Sequence, residues 1–158
     1  MDTQEIDRIL RTDPYTSCFY GGTFPIDLLP RPVLSNRLYV VNLDESTKNG
    51  SHWVQIGSLD CTLTYFDSFG RPPPPTIIDK VEGSMVYCDI QVQSPLSQAC
   101  GYHVLMVSLL EARGYPLLEI LARCYRAQER EYLRNDAYSA QVISSFTSLP
   151  ERPLINFS

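Results

Sequence analysis

Residues 104–110, Val-Leu-Met-Val-Ser-Leu-Leu, constrain the fold of this chain more than any other stretch. They fall within a segment, 99–113, that reads as one helix, with Gly114 placed to close its C-terminus. Apolar side chains occupy most of its circumference, whereas a surface helix confines them to one stripe. Such a helix has to be covered on nearly every side, so other elements must pack around it at the centre of the domain. No apolar run comes near the roughly 18 residues that a membrane span requires, which leaves a globular core as its place. The 158 residues suffice for one such domain, 1–158.

The covering elements can be read on either side of it. Asp2 is placed to cap a short helix, with Glu5 at the capping-box spacing and Ile6, Ile9 and Leu10 on one face. Residues 11–36 hold Pro14, Gly21, Gly22, Pro25, Pro30 and Pro32 and read as loop with one helical turn. Strands are expected over 37–43, 52–59 and 61–66, the last with Leu63 and Tyr65 alternating with Thr62 and Thr64. The prolines at 72–75 form a rigid surface loop, and Thr76 opens a short helix to 81. A fourth strand is expected over 85–92, with Val86, Cys88, Ile90 and Val92 on one face. Two further helices, 116–134 and 136–149, follow the central one, and the tail 150–158 reads as extended. The sum is a single α+β domain.

Charge and cysteine usage exclude several functions. The net charge is −5, the opposite of the basic footprint that nucleic-acid binding usually leaves. The arginines between 113 and 134 are interspersed with Glu119, Glu129, Glu131 and Asp136, which reads as a solvated helix face. The acidic start, Met-Asp-Thr-Gln-Glu, lacks the pattern of a signal peptide, so a soluble intracellular protein is expected. Cysteines stand at 18, 61, 88, 100 and 124, an odd number without any Cys-x-x-Cys pair. That argues against a disulfide framework and against a zinc site, so no metal is expected. Cys61, Cys88 and Cys124 read as small core residues.

Cys100 differs by position, at the point where a polar loop enters the central helix. A free thiol ionises near pH 8.5, and a helix start lowers that value through its unpaired N–H groups and dipole. With Ser97 as the capping residue, Cys100 falls in the first turn. Two histidines are candidates for the base. His103 lies one helical turn beyond Cys100, about 5–6 Å away. His52 opens a strand, and a hairpin would bring it to Asp67 at the end of the next. A carboxylate there would hold the imidazole tautomer, and this pairing favours His52. The Cys100 N–H can serve a developing oxyanion, and Gln93 can add a side-chain donor or simply hold its own loop.

These residues resemble the adenovirus-type cysteine endopeptidases (adenain), relatives of the ubiquitin-like-protein proteases. The family pattern runs Gly-x-His-Trp, then aromatic-acidic-x-Phe-Gly, then a Gln seven positions ahead of the Cys in Ala-Cys-Gly. Here those are Gly50, His52 and Trp53; Phe66, Asp67, Phe69 and Gly70; and Gln93, Ala99, Cys100 and Gly101. The match spans about residues 15–112. It implies a papain-like or adenain-like fold, in which the central helix carries the cysteine and packs on a mixed or antiparallel sheet of four to five strands. It also implies a triad of Cys100, His52 and Asp67 with Gln93 in the oxyanion hole.

Further expectations come with the resemblance. Gly21, Gly22, Trp53 and Gly101 are the expected substrate-binding residues, the first two either admitting a substrate backbone or simply forming a turn. The activity implied is a monomeric viral endopeptidase that cleaves capsid or core precursors near glycine, in the host nucleus and the virion, away from membranes. The chemistry calls for no cofactor. An activating peptide or DNA belongs to the resemblance but draws no support from this sequence, because Cys88 lies closer to Gln93 than the family's disulfide-forming cysteine does and the chain is acidic. Rival readings of the same residues are removal of ubiquitin-like modifiers, acetyl transfer, or a catalytically silent virion interaction protein.

Overall fold

The computed structural model describes residues 1–58 and 62–148. Five strands, β1 (Tyr20–Pro25), β2 (Leu38–Asn42), β3 (Trp53–Gly57), β4 (Leu63–Phe66) and β5 (Met85–Tyr87), form one sheet in sequence order. The sheet is mixed: β2, β3 and β4 run antiparallel, while β1 and β5 lie parallel to their neighbours at the two edges. Five α-helices accompany it: α1 (Thr3–Thr12), α2 (Pro75–Ile78), α3 (Cys100–Ala112), α4 (Leu117–Cys124) and α5 (Tyr132–Ser148).

The central strands are buried on both faces, which is why they read as nearly continuous apolar runs. On one face Leu38, Val40, Trp53 and Phe66 meet α3, which α1, α4 and α5 surround. On the other, Tyr39, Val41, Val54, Ile56, Leu63 and Tyr65 pack against Ile26, Leu29, Val33 and Ile77. Helix α3 is buried along eleven of its thirteen residues, as its all-round apolar character requires. Gly114 follows it at φ +94°, a left-handed conformation that ends a helix cheaply. The box at α1 is complete: Asp2 Oδ1 accepts from the Glu5 N–H at 2.9 Å, and Glu5 Oε2 from the Asp2 N–H at 3.0 Å.

Four elements depart from expectation. Residues 20–25, read as loop, form β1, because Tyr20 and Phe24 contribute a strand whose Gly21–Gly22 portion carries a bulge. β5 stops at Tyr87; Val86 and Ile90 are exposed and Cys88 half-buried, so alternation there did not mark a buried face. The short helix is Pro75–Ile78, with Pro75 in the first position, where its missing N–H costs nothing. The expected helix 116–134 breaks after Cys124, because the Asn135 side chain takes the backbone N–H and C=O of Arg126 at 3.1 and 2.8 Å. Leu59, Cys61 and the tail 150–158 lie outside the described residues.

One buried polar cluster tests this packing. Glu111, near the end of α3, accepts from Gln55 Nε2 of β3 at 2.5 Å and from Thr64 Oγ1 of β4 at 3.2 Å. Burial pushes its carboxyl up to about 7, against the two hydrogen bonds that favour the charged form. A carboxyl raised on folding stabilises the fold at pH below its unfolded value of 4.5 and loses that contribution as pH rises to about 7. Wild-type stability is therefore expected to fall by on the order of 3 kcal/mol across that window. Glu111→Gln should flatten the fall, since an amide does not titrate, and it can offer a donor to Gln55 Oε1, which is buried without a partner. Melting temperatures of both proteins from pH 5 to 8 check this; parallel profiles would contradict it.

Candidate active site

The antiparallel register of β3 and β4 pairs Gln55 with Phe66, and this brings the start of one strand beside the end of the other. His52 sits just ahead of β3, its backbone held by the Leu43 N–H at 2.9 Å. Asp67 follows β4 and is 1% exposed. His52 Nε2 lies 2.7 Å from Asp67 Oδ1, which leaves Nδ1 for the thiol of Cys100. The hairpin thus sets two of the three groups, and α3 delivers the third.

The turn Asp67-Ser68-Phe69-Gly70 organises the rest, with a separate task for each residue. Asp67 Oδ1 accepts both from His52 and from the Phe69 N–H, the latter at 2.8 Å, which fixes the carboxylate plane. The Phe69 ring stacks on the imidazole, with centroids 4.8 Å apart and planes 24° from parallel. Ser68 accepts through its carbonyl from the N–H groups of Val92 and Gln93, and its hydroxyl donates to Gln93 Oε1 at 2.5 Å. Gly70, at φ +68°, lies against the backbone of residues 89–91, where a Cβ would come within 2.7 Å of the Ile90 carbonyl carbon. This turn after β4 therefore supports both the acidic partner and the loop leading to the cysteine.

Cys100 is the first residue of α3, whereas a cap at Ser97 would make it the third. Ala99 precedes the helix without a side-chain cap, and Ser97 instead accepts from Gln93 Nε2 through its carbonyl at 2.9 Å. Burial alone would push the thiol up. The hydrogen bond with His52, the backbone at Trp53, the His52 charge and the backbone at Gly101 together bring it below its ordinary value. His52 moves the opposite way. Burial would lower it, but hydrogen bonds and charge at Asp67 and Cys100 raise it to about 9. A thiolate–imidazolium pair is the state these shifts favour.

The expected substrate-binding residues are distributed unevenly. Trp53, at the start of β3, helps line a cavity of about 180 Å³ together with Gly50, Asp44, Lys48 and Thr3. Gly21 and Gly22 belong to the bulged part of β1, and the space beside them is taken by the rings of Tyr39 and Phe24 respectively. Gly101 is buried with Met1 against it, a Cβ there coming within 3.0 Å of the Met1 Cβ. His103, the other candidate base, is fully buried and engaged elsewhere: Nδ1 meets Tyr125 Oη at 2.9 Å and Nε2 meets Asp136 Oδ1 at 2.8 Å.

That second pair reveals two residues that sequence reasoning passed over. Asp136 Oδ2 also accepts from the Ser94 N–H at 3.4 Å, and Asn135 Nδ2 donates to the Val92 carbonyl at 2.9 Å. The start of α5 thereby grips the loop on both sides of Gln93. Their spacing from that loop is set by tertiary structure and carries no local pattern. Ser68, in the variable position of its motif, was passed over for a similar reason. Among the described residues no group of three or more His, Cys, Asp or Glu could hold a metal ion, and no helix is long and apolar enough to cross a membrane.

No protein-family model matches the sequence, and no curated protein matches it. Among solved structures, the crystal structure of the ASFV pS273R protease is similar, with a TM-score of 0.60 over 87% of this chain and 14% sequence identity. A selenomethionine crystal structure of the same protease gives a TM-score of 0.43 over 63% of this chain and 43% of the other, at 22% identity. The chain spans 65% of the length of the first of these. At such identities the likeness is one of fold: a mixed five-stranded sheet with the cysteine-bearing helix against it, in an architecture that a protease also uses.

Proposed function

We propose that this protein is a cysteine endopeptidase of the adenain-like kind, with Cys100 as nucleophile, His52 as its proton partner and Asp67 holding the imidazole. The observation that carries this reading is His52, hydrogen-bonded at Nε2 to Asp67 at 2.7 Å and interacting with Cys100 through its other side. Both histidines have a carboxylate at Nε2, but His103 faces the Tyr125 hydroxyl while His52 faces a thiol, the nucleophile such a pair activates.

The steps follow from the positions. The thiolate attacks a peptide carbonyl, and the electron pair passes to the carbonyl oxygen. The Cys100 N–H, in the first turn of α3 where backbone donors have no intrahelical acceptor, donates to that oxyanion. Gln93 Nε2 donates to the Ser97 carbonyl at 2.9 Å and lies 3.3 Å from Ser97 Oγ, a longer contact that it exchanges for the oxyanion. His52 then gives its proton to the leaving nitrogen as the tetrahedral centre collapses to a thioester. Water, deprotonated by His52, hydrolyses the thioester and restores the thiol. The cavity beside Trp53 and Gly50 accepts one substrate side chain. By family resemblance, the substrates are viral precursor proteins cut near glycine.

The test needs no known substrate. Alkylation of Cys100 is followed by mass spectrometry against pH in wild type and His52→Ala. The wild type is expected to label rapidly well below the ordinary thiol range of about 8.5. His52→Ala should label only as pH approaches that range, because desolvation then acts on the thiol with its principal opposing partner gone. Identical profiles with an ordinary midpoint would refute the ion pair. Once a cleaved peptide is in hand, hydrolysis should decline above pH about 9, where His52 loses the proton it must donate.

A further inference from the structure

Residues 125–131 connect α4 to α5, and the reversal of the chain there encloses a cavity of about 420 Å³. Arg123, Arg126, Arg130 and Arg134 line it, four of the chain's thirteen Lys and Arg, against a single carboxylate, Glu131. A molecule of net charge −5 thus gathers about a third of its cations around one hollow. The sequence reads these arginines as one solvated helix face, but they lie on four different local structures. Arg123 is in the last turn of α4, Arg126 is in the extended link, Arg130 sits in a 3₁₀ turn and Arg134 is in the first turn of α5. Their convergence is a product of the fold.

Two features distinguish this from an incidental cluster. Arg126 and Arg134 form no ion pair among the described residues, while Arg123 meets Glu119 at 3.0 Å and Arg130 meets Glu131 at 3.8 Å and Gln128 at 3.0 Å. Arg134 also stands near the N-terminal end of α5, where the helix dipole disfavours a cation unless an anion sits nearby. The wall itself is rigid. Tyr125 is pinned to His103, and Asn135 holds the Arg126 backbone through both its N–H and its carbonyl. Guanidinium groups on such a frame match phosphate oxygens in paired hydrogen bonds.

We propose that this cavity is a binding site for a compact small molecule carrying two or more phosphate groups. Its volume falls within the range of small-molecule sites, about 300–1,000 Å³. A polynucleotide would call for cations in a stripe along the surface, whereas these line one cavity and the net charge of −5 repels a long anion.

The test is titration calorimetry with tripolyphosphate at roughly 50 mM salt, where screening is modest. Saturable binding of one ligand per chain is expected. Arg126→Ala/Arg134→Ala should weaken it by at least about tenfold, since each substitution removes charge-assisted hydrogen bonds. The charge-preserving Arg126→Lys/Arg134→Lys pair should fall in between, because lysine keeps the charge and loses the fork. Arg8→Ala/Arg31→Ala, which removes two exposed cations elsewhere, should bind as wild type does. Adenosine triphosphate bound with the same dependence would make a nucleotide the source of the phosphates. No saturable binding, an equal loss in the Arg8/Arg31 control, or an oligonucleotide binding more tightly as it lengthens would overturn the proposal.

Discussion

Cys100→Ala is expected to abolish hydrolysis of every peptide the wild type cleaves, a loss of at least about 10⁴-fold in kcat/KM, since removing a nucleophile from a cooperating set costs as much as removing the set. The fold should be unaffected, because Cys100 stands at the first turn of α3 and its methyl-sized replacement fills most of the same space. Asp67→Asn makes an instructive companion. An amide oxygen can still accept from His52 and from the Phe69 N–H, so the ring keeps its tautomer and orientation. It loses the negative charge that helps raise the imidazole, so the upper limb of the pH profile should move below 9 while turnover falls less than in Cys100→Ala. Steady-state kinetics across pH, with melting temperatures alongside, measure both. Cleavage at a fixed site by Cys100→Ala would sink the proposed mechanism.

Gly70→Ala is expected to be the most damaging single-methyl change in the described fold. At φ +68° any side chain pays about 1–2 kcal/mol for the left-handed backbone. The new Cβ would also press on the Ile90 carbonyl carbon at 2.7 Å and the Gln91 nitrogen at 2.8 Å. Neither is a flexible side chain, so the backbone of residues 89–91 itself must move, at a further cost of about 1–3 kcal/mol. Gly83→Ala separates the two terms. Gly83 has φ +95° and nothing within 4 Å of the site a Cβ would take, so only the backbone term applies. Urea unfolding should show Gly70→Ala losing about 2–5 kcal/mol and Gly83→Ala about 1–2 kcal/mol. Equal losses would mean that the contact with residues 89–91 yields freely.

The parts of this molecule that could be read in advance are those whose information is local. Helix α3 declared itself through an apolar surface on all sides, α1 through Asp2 and Glu5, and β4 through the alternation of Leu63 and Tyr65. The His52–Asp67 pairing was legible because a hairpin is a local object and its register follows from adjacent strands. β1 was not, because Gly21, Gly22 and Pro25 are turn residues by propensity, and a parallel partner at residues 38–42 overrides that preference. The break after Cys124 was hidden for a related reason: the group that stops the helix, Asn135, sits 9 residues downstream of Arg126. The environment of His103 was out of reach too, since its partner Asp136 is 33 residues away.

The grip of α5 on the Gln93 loop has a consequence for the order in which the protein is made. Asp136 comes 42 residues after Ser94, and Asn135 comes 43 after Val92. Histidine, aspartate, glutamine and cysteine therefore all leave the ribosome before the residues that hold their loop in place. At a synthesis rate of about 5–20 residues per second, the delay lasts a few seconds. Throughout that interval the loop is held from the Ser68 side but lacks its contacts with α5. For the endopeptidase proposed above, a fully held Gln93 loop is thereby delayed until α5 has emerged.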